Sequence, residues 1–99
     1  MKLKEKPHFP YEGVNLINLL IYRSWHRGCK ETDILLGNFA KSEIQTLNER
    51  ELEIYHDLLN EDDWDIYEWI LSPASLFDEK YKDIIEKIRN FNIKDAKNR

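Results

Sequence analysis

Apolar residues recur at intervals of three and four in five separate stretches of this chain, and nowhere do they alternate over the length of a strand. That spacing is the helical one, so the chain is restricted to helices packed on helices. Only a few residues separate the stretches, which makes neighbours in sequence antiparallel neighbours in space. With 99 residues there is room for one domain. A chain of this size exposes about 6,000 Å² when folded and about 17,000 Å² when unfolded, enough burial for one core without staples. The expected fold is all-α, a small single-domain bundle of five helices over residues 15–92. An irregular arm (1–14), interrupted by Pro7 and Pro10, precedes it; Phe9 and Tyr11 could pin that arm to the body. A polar tail (93–99), fraying from about Asn92, follows.

Local signals set the boundaries. Asn15 can cap a first helix running to about Arg27, with Leu16, Leu19, Leu20, Arg23 and Arg27 at helical spacing. Ile17, Ile21, Tyr22 and Trp25 widen its apolar face, so it should be largely buried. Gly28 is expected to end it in the left-handed conformation, with Arg27 complementing its C-terminal carbonyls. The second helix carries Glu31 and Asp33 in its first turn, then Ile34, Leu35, Leu36 and Phe39, and fades near Lys41 and Ser42. Asn48 and Glu51 form a capping box for the third, with Leu47 and Leu52 at the staple positions. Glu61, Asp62 and Asp63 open the fourth, whose inner face is expected to be Trp64, Tyr67, Ile70 and Leu71; Ser72-Pro73 closes it. Asp78 caps the fifth, along which Phe77, Tyr81, Ile84, Ile85, Ile88 and Phe91 repeat.

Several function classes fall away on chemistry. Fifteen basic and nineteen acidic residues give a net charge of −4, against the clustered basic footprint of a nucleic-acid binder. A recognition helix after Gly28 would present Glu31 and Asp33 to phosphates. The longest apolar run, Leu19 to Tyr22, is far short of the ~20 residues a membrane span needs. His26 and Cys29 lack the further ligands of a structural zinc site, so no metal is expected. Glu61, Asp62, Asp63 and Asp65 resemble half a calcium loop without its glycine or terminal glutamate. Cys29 has no evident base with an orienting group, and the three glycines form no phosphate cradle. No catalytic residue and no stably held cofactor are expected. The lone cysteine fits a reducing compartment.

What remains is the junction His26-Arg27-Gly28-Cys29-Lys30-Glu31-Thr32-Asp33. Capping alone could account for it. On the residues alone capping is the favoured account; a contact point, where a glycine lets a partner backbone approach and Arg27 and Glu31 act as ionic anchors, is compatible with it. Leu20-Ile21-Tyr22-Arg23-Ser24 leads into Arg27-Gly28-x-x-Glu31-x-Asp33-Ile34-Leu35-Leu36, then Phe39-Ala40. A second block follows, Tyr55-x-x-Leu58-Leu59-Asn60-Glu61 and Asp63-Trp64-Asp65-Ile66-Tyr67-Glu68-Trp69. In that order the two blocks resemble the succinate dehydrogenase FAD assembly factors.

The resemblance implies a five-helix bundle that binds the flavoprotein subunit of succinate dehydrogenase, and in some bacteria that of fumarate reductase. Such a factor promotes covalent attachment of FAD to a histidine of that subunit through the flavin 8α-methyl carbon. The bond forms within the flavoprotein, so the factor contributes conformation rather than a nucleophile. Arg27, Gly28 and Glu31 match the family's partner-contacting core, and Asp33 a recurring acidic position. His26 and Cys29 depart from its usual basic and large apolar residues. Trp64, Tyr67 and Trp69 match as well; Tyr67 is read as core, Trp64 or Trp69 as a core or edge residue. A monomer without direct membrane insertion is expected. The second block is close to the mitochondrial branch, while the lack of an import sequence and an isoleucine-, lysine- and asparagine-rich composition favour a bacterial cytoplasm over a mitochondrial matrix. The competing reading is a protein-binding regulatory bundle of the antitoxin kind.

Overall fold

Five helices form where the periodicity places them: α1 (Val14–Trp25), α2 (Lys30–Glu43), α3 (Glu49–Leu58), α4 (Asp63–Leu71) and α5 (Lys82–Lys97). The computed structural model describes residues 14–97, with side chains over 16–96. Residues 1–13 of the expected N-terminal arm, Phe9 and Tyr11 included, lie outside the described residues. Short 3-10 turns at Ile44–Thr46 and Glu79–Tyr81 lead into α3 and α5, and no strand occurs among the described residues.

All five helices supply the core. Leu20 of α1, Leu36 and Phe39 of α2, Tyr55 and Leu58 of α3, Ile66 of α4, and Ile85 and Ile88 of α5 are buried together. Two polar groups share that interior and satisfy each other. The Tyr55 hydroxyl lies 2.6 Å from Ser24 Oγ, which donates to the Leu20 carbonyl at 2.7 Å, so neither is left unpaired in the dry interior.

The helix ends follow local chemistry closely. Asn48 accepts from the Glu51 amide at 2.8 Å while Glu51 accepts from the Asn48 amide at 2.9 Å, completing the capping box. Asp62 caps α4 through the Trp64 amide, and Asp78 caps the turn before α5. Arg89 closes the other end of α4: Nε and Nη2 donate to the Trp69 carbonyl at 3.0 and 2.6 Å, and further bonds reach Ile70 and Ser72. Phe77 lies beneath that guanidinium at 6.0 Å.

Three boundaries differ from the sequence reading. Val14 is already helical, so Asn15 stands inside the first turn rather than ahead of it, and α1 stops at Trp25 instead of Arg27. At the other terminus α5 runs to Lys97, past the expected fraying at Asn92. No glycine or proline interrupts Ile93-Lys94-Asp95-Ala96, and Asn92 donates to the Ile88 and Leu35 carbonyls, holding that turn to the bundle.

The face of α4 is rotated from expectation. Ile66 and Ile70 point into the core and Trp69 packs against it, whereas Trp64 and Leu71 are 59% and 52% exposed and Tyr67 is half-buried. Apolar residues occupy most of this nine-residue helix, so its sequence carries no contrast to set the phase. One close approach fixes α1 against α2. A Cβ at Gly37 would stand 2.3–2.5 Å from the Trp25 indole, so the ring rests on bare backbone.

Candidate functional site

Past Trp25 the chain leaves the helix and becomes extended at Cys29 (φ −131°, ψ 123°), the residue that precedes α2. That path turns the Arg27 side chain inward, where it is only 10% exposed. Its guanidinium meets the C-terminal end of α3, whose last carbonyls have no partner within the helix. Nη1 donates to the Leu59 carbonyl and Nη2 to that of Glu61 at 2.8 Å, while Nε pairs with Asp63 Oδ1 at 2.7 Å. Asp63 is the first residue of α4. A single cation thus joins the α1–α2 junction, the end of α3 and the start of α4.

The backbone around it is tied in as tightly. The Arg27 amide donates to Asp33 Oδ1 at 2.6 Å, and the Gly28 amide to Asp63 Oδ2 at 2.9 Å. Thr32, fully buried, donates its hydroxyl to the Asp63 carbonyl at 3.1 Å. Both carboxylate oxygens of Asp63 are therefore engaged, one by a guanidinium and one by a peptide N–H. Gly28 is not left-handed, contrary to expectation. A Cβ there would lie 3.3 Å from Asp63 Oδ2, so a side chain at this position would press on the carboxylate and the glycine leaves it room. Nor does Arg27 complement its own helix; it caps α3 from outside.

The four sequence-chosen residues separate into two groups. Arg27, Gly28 and Asp33 belong to one hydrogen-bonded clamp. Glu31 stands on its solvent side, accepting from the Cys29 thiol at 3.2 Å. A hydrogen bond from its own backbone N–H, then the thiol, hold the Glu31 carboxyl below the usual carboxylate range. Gly28 is itself exposed, and beside it His26 stacks on Tyr22 with ring centroids 4.0 Å apart. His26 Nδ1 also donates to the Tyr22 carbonyl at 2.8 Å. Trp64, next to the clamped Asp63, presents an exposed ring with its edge partner Tyr67 at 5.6 Å. The outer side of the clamp thus offers backbone at Gly28, a carboxylate at Glu31 and flanking aromatic surface. That combination suits protein contact.

The sequence reading missed Asp63 as the clamp's anion, because it treated that residue as a helix-terminal acid. It also left Arg23 and Thr32 without a role. A signal was present: two signature blocks in fixed order, whose members Arg27 and Asp63 touch across 36 residues of chain. Among the described residues no group of acidic, histidine and cysteine side chains could hold a metal ion, and no helix is long and apolar enough to cross a membrane.

A sequence model of one family, described as flavinator of succinate dehydrogenase, matches residues 18–92, a span that contains the whole clamp. Among curated proteins, the mitochondrial succinate dehydrogenase assembly factor 2 of Komagataella phaffii is 44% identical over 77 residues, covering 74% of this chain and 40% of that protein. The Candida glabrata protein of the same name is 42% identical over 77 residues, 74% of this chain and 50% of that one. That of Scheffersomyces stipitis is 43% identical over 81 residues, 80% of this chain and 53% of its own length. The chain spans about half the length, or less, of these relatives.

Proposed function

The chain belongs to the flavinators of succinate dehydrogenase, and from that premise we propose that it binds the flavoprotein subunit of that enzyme and promotes covalent attachment of FAD to a histidine there. The observation that carries this reading is the clamp. It joins the two signature blocks and fixes the exposed Gly28 backbone, with the exposed Glu31 beside it. A surface held this rigidly needs little ordering when a partner docks, which favours binding.

The proposed mechanism is conformational. The factor holds the flavoprotein so that the flavin and its histidine reach attack geometry, and the bond forms inside the partner. Its own residues bind and orient; none is proposed to act as nucleophile, acid or base, and FAD remains cargo of the partner. The mitochondrial names of the relatives support a mitochondrial matrix as the working compartment. A monomeric factor acting one-to-one is the simplest arrangement consistent with a single clamp.

Cells lacking the protein should retain the flavoprotein subunit with little covalent flavin, read by in-gel fluorescence after denaturation. Normal covalent flavin in such cells would remove this reading. Capture of an unrelated protein in place of the flavoprotein subunit would favour a regulatory binding bundle instead.

A further inference from the structure

Tyr22, Arg23, His26, Arg27, Gly28 and Asp63 line a pocket of about 300 Å³ beside the clamp. Its charges do not cancel. Arg27 and Asp63 neutralise each other, and both oxygens of Asp63 are engaged. Asp33, just behind, accepts from the Arg27 amide. Arg23 has no carboxylate partner among the described residues. Its Nη2 reaches neutral acceptors, Asn60 Oδ1 at 2.8 Å and the Leu59 carbonyl at 3.3 Å, and among the described residues its other donors meet no acceptor. Burial first, then the adjacent Arg27 charge, lower the Arg23 pKa, so the two guanidiniums stand close enough to repel. One wall is the stacked pair of Tyr22 and His26, with Tyr22 59% exposed. In a chain of net charge −4 this is a local cationic recess with an aromatic side.

Resting on the reading of the chain as a flavoprotein-binding factor, we propose that this recess receives an Asp or Glu side chain of the flavoprotein subunit, held by the guanidinium donors of Arg23 that Leu59 and Asn60 leave free. A guanidinium already oriented by two neutral acceptors loses little freedom on meeting a carboxylate, and a half-buried pair is screened less than a surface one. Arg23 thereby sets specificity for a partner with an acid at the matching place, a role distinct from the backbone approach at Gly28.

The test compares affinity for the isolated flavoprotein subunit across salt concentrations, using the parent chain and Arg23→Gln, Arg23→Lys, His26→Lys and His26→Glu. Arg23→Gln should bind about thirtyfold more weakly with a shallower salt dependence, and Arg23→Lys should recover part of the loss. The His26 pair guards against misfolding of the Arg23 variants, since both remove the same exposed ring and differ only in sign. His26→Lys should bind more tightly than His26→Glu. Equal affinity and equal salt dependence for parent and Arg23→Gln, or for the two His26 variants, overturns the carboxylate assignment while leaving docking at Gly28 intact. A parent chain that does not bind the subunit overturns both.

Discussion

Arg27 and Arg89 perform the same task at opposite ends of α4 and to different effect. Each sends a guanidinium from a distant part of the chain onto the last carbonyls of a helix: Arg27 onto α3, Arg89 onto α4. Arg89 finds carbonyls and an aromatic ring, and among the described residues it meets no carboxylate. Arg27 finds carbonyls and a carboxylate, and that carboxylate reaches on to the Gly28 amide. One arginine closes a helix; the other closes a helix and fixes an exposed turn. The added anion separates a fastening that serves only the fold from one that also shapes a surface.

Removing each arginine tests this difference most directly. Arg27→Leu leaves Asp63 half-buried without its cation and should cost about 3 kcal/mol in urea unfolding. Arg89→Leu deprives carbonyls of a charged donor and should cost about 2 kcal/mol. Flavinylation per folded molecule should fall only for Arg27→Leu; an equal loss for both would erase the distinction. Gly28→Arg comes next. Its Cβ presses on Asp63 Oδ2, a strain of about 1 kcal/mol, and its side chain fills the space where the proposed partner would dock. Helical circular dichroism should persist while flavinylation collapses.

Glu31→Ala isolates the surface from the fold. Glu31 is fully exposed and outside the clamp, so the variant should melt close to the parent and yet fail to support flavinylation. Parent-like flavinylation would move the interface elsewhere. The smallest effect is a pH dependence near the Arg27 end. Burial, then the Arg23 charge, lower the pKa of His56 in the folded protein. The unfolded chain therefore takes up this proton first, and stability is lost as pH falls through about 6.5. The melting temperature should drop modestly between about pH 7.5 and pH 5.5, and His56→Gln should flatten that drop.

Legibility in the sequence followed the reach of each interaction. The capping box of Asn48 and Glu51 and the cap at Asp78 involve residues within three positions and are read from the sequence, while the cap at Asp62 is equally local but reads there only as one of three acids opening α4. The α5 core face was equally plain, because apolar and charged residues alternate there with strong contrast. The phase of α4 was not, since Trp64, Ile66, Tyr67, Trp69, Ile70 and Leu71 offer several apolar faces. Gly28 stands at the turn between α1 and α2 as expected, but not in the expected left-handed conformation. A left-handed cap is the usual local explanation of such a glycine, whereas the carboxylate that its amide meets, Asp63, comes 35 residues later. Of the candidate site, the turn glycine and the acid beside it could be picked out in advance, and both are exposed. The anion that organises them could not, because nothing local distinguishes Asp63 from its neighbours Asp62 and Asp65.

The indole of Trp25 resting on Gly37 carries a consequence for how this sequence can change over time. Any side chain at position 37 collides with the ring, while a smaller residue at position 25 opens only a gap at the edge of the bundle. The two positions therefore have an order of replacement. A lineage can shrink residue 25 and later enlarge residue 37, but the reverse route passes through an intermediate that cannot pack. Once Trp25 is in place, Gly37 is locked behind it.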